Sequence, residues 1–503
     1  MSTEQVISIL VEKIDILSNR LARVEKENEE LKKENIEIKK EIAEFKAKSA
    51  EVNLENKELR TENAELRAEN AELKSRLNSN SRNSSKPPSS DGYMKPALPK
   101  KKRGKQGGQN GHKGHTLQQV ENPDKIVECN PEKCGCGYEF TKDQLVLSEK
   151  RQVFELPEPR LEVTEYQIYK AKCPVCGKLH KGTAPEGVSA HVQYGNRVKA
   201  YAVLLNVHFK VPFKKIQLLF SDLFGYSINE STVTSASQQC YEKLEVSEQI
   251  IKSKIAESDV AHADETGLRV SGSLHWLHTT ATLLYTYLFV HEKRGRKALE
   301  SDKSILDKII GWLVHDCWSS YFNFKKLNHA ICGAHILREL EGLVENGQGK
   351  WAKVFKAFFM SVYEMPFEER VKRRQLIESR YNHICDIGEK SESPPKKVPG
   401  KRGKYKRTKG RNLVERLIRE KDAILAFAFN REVPFTNNLA ERDIRPVKVK
   451  QKISNCFRTL TGAEIYARIE GFISTARKND RNVFSELCAT FEGYNFITGL
   501  IAC

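Results

Sequence analysis

Apolar residues recur at every seventh position from Leu10 to Leu73 without a break. The position four residues further on in each heptad is apolar at both ends of this stretch and mostly polar between them, as at Asn28 and Asn63. As d and a positions, the two series predict a parallel two-stranded coiled coil over residues 1–77, because paired asparagines at a fix the register at some cost in stability. A single solvated helix has no need of so long an apolar seam. We therefore predict a homodimer.

Apolar and polar residues alternate over residues 150–172, which predicts strands. A Cys-x-x-Cys pair, Cys173 and Cys176, follows this stretch, and Pro174 and Gly177 suit the tight turn that aims both thiolates at one ion. Together with cysteines before the alternating stretch, the pair predicts a structural zinc site in a small β-rich module over residues 125–187. Unligated thiols are the alternative.

The first cysteine arm is irregular and offers Cys129, Cys134 and Cys136 for two ligand positions. Cys136 is favoured because Gly137 follows it, as a glycine follows the second cysteine of the other arm. Its partner is either Cys134 or Cys129, and the spacing does not decide between them.

Helical periodicity returns over residues 188–250. Gly225 can end one helix, and Asn229, Glu230 or Ser231 can cap the next. Helix, glycine-containing turn and capped helix are typical of a helix-turn-helix, which predicts a DNA-binding helical domain. Any two packed helices can give the same pattern.

The order of elements after residue 250 predicts the catalytic fold. A buried strand ending at Asp264 and Glu265, with Gly267 turning the chain, is followed by two more strands, a helix, a buried strand ending at Asp316, and a further helix. This is the order of an α/β ribonuclease H-like sheet, whose first and fourth strands lie side by side. Asp264 and Asp316 are then neighbours, and two close carboxylates call for cations between them.

A third carboxylate completes a site for two magnesium or manganese ions. We assign it to Glu441, in the first turn of a helix capped by Asn437 or Asn438. On the same face, Arg445 and Lys448 would grip a phosphate, although Pro446 should kink or end the helix. Two other acids lie close by in the sequence. Strand alternation turns Glu265 to the opposite face of its strand, and helical spacing turns Asp443 away from Glu441. His315 is interpreted as a core residue, and Cys332 and His335 as structural, because no partner ligands are visible.

The net charge of the chain indicates the class of its substrate. Lys and Arg total 84 against 66 Asp and Glu, a net charge of +18, which favours a nucleic-acid partner. A glycine-rich segment without acids is predicted to lie on DNA phosphates through Lys100, Lys101, Lys102, Arg103 and Lys105, and a solvated linker is the alternative. A second basic segment, residues 394–412, is either a DNA contact or a surface loop. The chain has neither an apolar span nor a signal core, which predicts no membrane partner and a cytoplasmic protein. Twelve cysteines in that compartment favour metal over disulfides.

The predicted fold is therefore multidomain. Its parts are a coiled coil over 1–77, a flexible basic linker over 78–124, the zinc module over 125–187, the helix-turn-helix-like domain over 188–250, a ribonuclease H-like domain over 251–346, an α-helical insertion with a basic loop over 347–432, the last catalytic part over 433–482 and a C-terminal tail over 483–503.

Several stretches in this order give the chain a family resemblance, among them "NSSKPPSSDG", "ADETGLRV", "HDCWSSYF", "CGAHILREL" and "NNLAERDIRPVKVKQK". The chain resembles transposases of the insertion sequence 66 family, of the DDE type. The resemblance implies a catalytic triad of Asp264, Asp316 and Glu441 with Mg²⁺. It also implies metal-dependent cleavage and strand transfer at the terminal inverted repeats of a bacterial mobile element, near the nucleoid, with target DNA and accessory transposition proteins as partners.

Two other functions remain open at this point. A non-enzymatic zinc- and coiled-coil-containing DNA regulator, a domesticated transposase, would bind DNA without cutting it. A structure-specific nuclease of the same fold would cut DNA without joining it.

Overall fold

The computed structural model describes residues 3–80, 82–84, 117–131, 133–347, 349–394 and 407–500. The predicted N-terminal helix is confirmed: α1 runs over Thr3–Leu77. About half of the surface of Leu10, Leu17 and Leu31 is exposed on this single helix. Its apolar seam is therefore open to a partner, and the coiled-coil dimer stays a prediction. The basic residues predicted at 100–105 lie outside the described residues.

Both cysteine arms form tight turns. Strands β1 (Lys170–Lys172) and β2 (Leu179–Lys181) pair as an antiparallel hairpin with the Cys-x-x-Cys pair in its turn. Gly177 has φ of +72° and donates to the Cys173 carbonyl oxygen at 2.9 Å. In the first arm, Gly137 has φ of +91° and donates to the Cys134 carbonyl oxygen at 2.8 Å.

The alternating stretch before this hairpin contains no strand from residue 150 to 169, contrary to the prediction. Most of its apolar members are exposed, as at Val153 and Val163. A period of two residues produces a strand only where one face is buried or a partner strand binds the backbone, and the described residues provide neither for this stretch.

Four helices follow, separated by a π-helical turn at Leu204–His208 and by short loops. They are α2 (Asn196–Val203), α3 (Phe213–Phe224), α4 (Glu230–Lys243) and α5 (Glu245–Ala256). Gly225, with φ of +71°, ends α3, and the Asn229 side chain accepts the Ser231 N–H at 3.0 Å at the start of α4. Both local signals of the predicted helix-turn-helix are confirmed.

A five-stranded mixed sheet forms the centre of the C-terminal part. Its strands are β3 (Val260–Val270), β4 (Ser273–Ala281), β5 (Thr286–His291), β6 (Trp312–His315) and β7 (Asn328–Ile331), in the order β5-β4-β3-β6-β7. The first three strands are antiparallel, and β3–β6 and β6–β7 are parallel. The predicted pairing of the first and fourth strands is confirmed. The chain turns at Ser271 and Gly272 rather than at Gly267, so β3 continues past the predicted end.

The remaining helices complete two hydrophobic clusters. They are α6 (Arg296–Leu299), α7 (Gly333–Glu345), α8 (Lys350–Glu364), α9 (Phe367–Lys372), α10 (Arg374–Ser391), α11 (Lys409–Arg419), α12 (Lys421–Phe429), α13 (Asn438–Ser454), α14 (Leu460–Lys478), α15 (Val483–Glu492) and α16 (Phe496–Gly499). The predicted insertion is helical. Its Phe355, Tyr381 and Leu417 pack in one cluster with β6, β7 and α7.

The other cluster crosses three of the predicted boundaries. Val203 of α2, Leu277 of β4 and Phe472 of α14 share it with Leu487 and Ile497 of the last two helices. The helical segment over 188–250 is thus joined to the sheet by a common core, and residues 483–500 are part of that core rather than a tail. Among the described helices, none has the length and apolar character needed to cross a bilayer.

Candidate functional site

Asp264 lies on β3, and Asp316 directly follows the neighbouring strand β6. In the parallel pair β3–β6, His262 lies opposite Val314. Asp264 lies two residues further along β3, and Asp316 follows Val314 by two residues, directly after the end of β6. Because neighbouring strands are about 4.8 Å apart, this pairing brings the two acids close together, and the charge of Asp316 acts on Asp264. β6 ends before Asp316, whereas β3 continues because it still pairs with β4. Asp264 therefore lies inside its strand and not at the predicted strand end.

Each of these carboxylates is mostly buried. Burial, followed by the negative charges of Glu265 and Asp316, raises the pKa of Asp264 well above its usual value, and Glu441 contributes in the same direction. Burial also raises the pKa of Asp316, although the Trp318 N–H, at 2.9 Å from its Oδ1, opposes this. Within the described part of the chain, no Lys, Arg or His nitrogen lies within 4.0 Å of either carboxylate.

Asn437 joins the helix of Glu441 to the strand of Asp264. Its Nδ2 donates to the Ala263 carbonyl oxygen at 2.8 Å, its Oδ1 accepts from His262 Nδ1 at 2.9 Å, and its backbone N–H points to Cys332 Sγ at 3.2 Å. Asn437 is the N-cap residue of α13, as predicted, but its buried side chain bonds to β3 rather than to its own helix.

Glu441 lies in the first turn of α13, and this helix continues through Pro446 to Ser454, contrary to the expected break. Lys448 Nζ donates to the Gly267 carbonyl oxygen at 2.5 Å, and burial lowers the pKa of this lysine. Arg445 is exposed. Of the two cations predicted to grip phosphate, one is therefore bound to β3 and one faces solvent.

The carboxylate of Glu441 is directed toward α7. Its Oε1 lies 3.7 Å from Arg338 Nη2 and 3.9 Å from His335 Nδ1. Cys332, His335 and Glu441 form a group that could hold a metal ion, since their ligand atoms all lie within 4.8 Å of one another. In the described residues, the three acids Asp264, Asp316 and Glu441 do not form such a group. The structure thus brings two of them together and turns the third toward a thiol and an imidazole.

The Cys-x-x-His spacing of Cys332 and His335 is visible in the sequence, but the sequence does not indicate a third ligand. The spacing places Cys332 at the N-cap of α7 and His335 in the first turn of that helix. Their partner lies in another helix more than a hundred residues later along the chain. Only the packing of α13 against this point makes the three residues a site.

The nearby polar residues have structural partners. Glu265 is bound by Arg294 Nη2 at 2.6 Å and by the Tyr321 hydroxyl at 2.6 Å. The guanidinium of Arg294 in turn lies 5.0 Å from the Trp276 ring centroid and 4.4 Å from that of Trp318. This network holds the loop that follows Asp316.

Two further expectations about neighbouring residues are met. Asp443 is turned away from Glu441 and bonds to Lys478 Nζ at 2.7 Å and Ser474 Oγ at 3.0 Å. His315 is fully buried and contacts His329 Nδ1 at 3.0 Å through its Nε2, which confirms it as a core residue.

The zinc ligands predicted in the N-terminal part remain a prediction. The Tyr138 backbone lowers the pKa of Cys136, with a smaller effect from the Cys134 thiol, and the Cys176 backbone lowers the pKa of Cys173. Cys129 lies outside both turns, so the local geometry favours Cys134 as the partner of Cys136. Within the described residues, no three of these cysteines have sulfur atoms within 4.8 Å of one another.

Comparison with known families shows which family the chain belongs to. The family described as Transposase IS66 family matches residues 191–465, more than half of the chain. The chain belongs to this transposase family. Membership supports a transposase, a DNA-acting enzyme that uses divalent metal, and the matched range contains Asp264, Asp316 and Glu441. A second family, of unknown function (DUF6444), matches residues 14–118. Comparison with curated proteins gives no match.

Proposed function

We propose that this member of the transposase IS66 family is a DDE-type transposase. It binds the terminal inverted repeats of a bacterial insertion sequence and catalyses metal-dependent DNA strand cleavage and strand transfer. Asp264, Asp316 and Glu441 are its catalytic carboxylates. The observation that supports this proposal is the parallel pairing of β3 with β6, which brings Asp264 close to Asp316 directly after the end of β6.

The carboxylate pair fits Mg²⁺ or Mn²⁺. Two mostly buried carboxylates that have no basic nitrogen within 4.0 Å among the described residues are costly unless cations compensate them, and hard divalent ions prefer carboxylate oxygen. Asp264 and Asp316 would hold the ions, with Glu441 as the third acid. When bound, the ions supply Lewis-acid stabilisation of the charge that develops in phosphoryl transfer.

The surrounding residues orient these acids. The Trp318 N–H fixes one oxygen of Asp316, and the Glu265–Arg294–Tyr321 network supports the same loop. Asn437 fixes the start of α13 against β3. This connection sets the distance over which the Glu441 side chain must reach Asp264 and Asp316. Arg445, exposed one turn after Glu441, is available to a DNA phosphate.

The other parts of the chain supply binding. We propose that the apolar seam of α1 pairs two chains, so that two DNA ends meet in one complex. The α3–α4 helices and the basic segments bind DNA, and the cysteine turns hold a structural Zn²⁺ in the N-terminal part. Target DNA and accessory transposition proteins are the further partners, and the bacterial nucleoid is the site of action.

The test uses a labelled DNA duplex that carries the inverted repeat flanking the coding region. Wild-type protein should cleave it in Mg²⁺ and join the end to a target duplex. Asp264→Asn and Glu441→Gln should each lower the cleavage rate by about 10³-fold or more while end binding survives. Asp307→Asn and Glu432→Gln, at exposed positions, are matched controls and should retain the wild-type rate.

The outcomes separate the candidate functions. End binding by the wild type without cleavage would identify a non-enzymatic regulator. Cleavage without joined products would identify a nuclease. Equal cleavage by wild type and Asp264→Asn would remove Asp264 from the catalytic set.

A further inference from the structure

We infer that Cys332, His335 and Glu441 bind a Zn²⁺ ion, and that this ion holds Glu441 away from Asp264 and Asp316 and inhibits the enzyme. The binding part is independent of the catalytic assignment. The inhibitory part rests on the proposed function, in which Glu441 is the third catalytic acid.

Two facing atoms of this group make no hydrogen bond within the described residues. His335 Nδ1 and Glu441 Oε1 lie 3.9 Å apart, and both are shielded from solvent without a hydrogen-bond partner in the described residues. A buried polar atom without a partner is rare, and two that face each other are rarer. Ligands on one tetrahedral Zn²⁺ are separated by about 3.4 Å, because each lies about 2.0–2.3 Å from the metal. A small inward movement of the two side chains therefore satisfies both atoms at once.

The third ligand is fixed in place by the backbone around it. Cys332 is fully buried, its N–H donates to the His315 carbonyl oxygen at 2.9 Å, and the next N–H, of Gly333, donates to the Phe435 carbonyl oxygen at 2.8 Å. A Cβ on Gly333 would lie 2.2 Å from the Phe435 ring, so only glycine allows this close approach. The thiol is thus held at the start of α7, one helical turn before the imidazole.

The donor set selects the metal. A thiolate, an imidazole and a carboxylate are the ligands of Zn²⁺ and of its spectroscopic substitute Co²⁺, with water in a fourth position. Mg²⁺ requires near-octahedral oxygen coordination and is a poor match for sulfur and nitrogen. The carboxylate pair on the sheet has the opposite preference. Two adjacent sites of different chemistry therefore share one residue, Glu441.

One cation competes with the metal. Arg338 Nη2 lies 3.7 Å from Glu441 Oε1, and its Nη1 lies 3.5 Å from His335 Nε2. The Arg338 side chain is 28% exposed, so it can turn toward solvent when the metal neutralises the carboxylate. Glu441 has a single carboxylate on one side-chain stem, and it cannot point to α7 and to the carboxylate pair at the same time. Occupation of the α7 site should therefore remove the third acid from the catalytic set.

The first test measures Co²⁺ binding to the full-length chain through the thiolate-to-cobalt charge-transfer absorption. Wild type should bind one more Co²⁺ per chain with high affinity than His335→Gln or Cys332→Ser. In each variant the affinity of this site for Co²⁺ should fall by at least about tenfold. Cys385→Ser, which alters a buried cysteine of α10, is the matched control and should bind as wild type does. The N-terminal cysteines give the same background in every variant.

Circular dichroism of each variant verifies the fold. If Cys332→Ser, which alters a buried residue, does not fold, His335→Gln alone tests the metal site. Equal cobalt stoichiometry and spectra in wild type and His335→Gln would overturn the site.

The second test measures Zn²⁺ inhibition of cleavage in Mg²⁺, with each protein normalised to its own rate without zinc. Half-inhibition of His335→Gln should need at least about tenfold more zinc than wild type. Equal zinc sensitivity with a confirmed cobalt site would overturn the inhibitory part alone. A wild type without any cleavage would refute the proposed function and leave the cobalt result standing.

Discussion

The side-chain amide of Asn437 donates to the Ala263 carbonyl oxygen at 2.8 Å, immediately before Asp264 in the chain. One buried residue thus connects the strand that carries the first acid to the helix that carries the third. Its Oδ1 accepts from His262 and its N–H points to Cys332 Sγ, so it also contacts the start of α7.

Replacing Asn437 should loosen this connection. In Asn437→Ala the Ala263 oxygen and the His262 Nδ1 lose their buried partner, and we expect the free energy of unfolding to fall by about 1–3 kcal/mol for each group left unpaired. We also expect the Mg²⁺ concentration for half-maximal cleavage to rise, because Glu441 is no longer held against β3. Asn438→Ala, the adjacent exposed asparagine, is the control. A variant that is less stable but has unchanged Mg²⁺ dependence would limit Asn437 to a structural role.

A buried ion pair connects the loop after α2 to α14. Lys210 Nζ lies 2.7 Å from Glu470 Oε2, and both side chains are 6% exposed. Glu470→Leu leaves the ammonium buried without its partner and should destabilise the protein by about 3–5 kcal/mol, whereas adding Lys210→Met should recover most of the loss. Glu300→Leu, in the exposed Arg296–Glu300 pair, should change stability by about 1 kcal/mol or less. Urea unfolding of the four proteins measures these differences, and a double variant as unstable as Glu470→Leu would refute the account.

His278 makes stability depend on pH. Burial, assisted by the charges of His291 and Arg294, lowers the pKa of His278 from 6.5 to about 4. The unfolded chain binds this proton near pH 6.5 and the folded chain only near pH 4, so the stabilisation is complete above pH 6.5 and is lost as the pH falls. The loss from this group should reach about 3 kcal/mol at pH 4.

His278→Phe tests this dependence, because it keeps a ring against Phe289, whose centroid lies 4.9 Å away, and removes the titration. Between pH 6.5 and 4 the variant should lose less stability than wild type. The slope of its unfolding free energy against pH should correspond to about one fewer proton taken up on unfolding than in wild type. His275→Phe, near the exposed end of the same strand, is the control. Parallel pH curves for wild type and His278→Phe would contradict the prediction.

The seam of α1 should hold two chains together. Leu59 is half exposed on the single helix and occupies a d position of the predicted coiled coil. Leu59→Asp places two charges in the pair interface and should weaken dimerisation by at least about tenfold, as measured by sedimentation equilibrium. Thr61→Asp introduces the same charge two residues later, outside the seam, and should leave the dimer intact. An equal effect of both variants would argue against the seam.

The sequence by itself determined the features that depend on neighbouring residues. The heptad period set the length of α1, and Gly225 and Asn229 set the end of α3 and the start of α4. The order of apolar runs predicted the antiparallel strands β3, β4 and β5 and the pairing of β3 with β6. These follow from dihedral preferences, capping and periodic burial, which act within a few residues along the chain. The same local rules failed for residues 150–169, where alternation met no core.

Tertiary structure alone decided where the side chains point. That Asp264 and Asp316 come close depends on the parallel pairing of β3 and β6, and that Glu441 faces His335 depends on how α13 packs against β3 and β4. Asn437, one of the two predicted cap residues, uses its whole side-chain amide on β3: its Nδ2 donates to the Ala263 carbonyl oxygen, and its Oδ1 accepts from His262 Nδ1. The orientation of a buried polar group is set by the partners available within about 3 Å, and packing brings those partners from distant parts of the chain.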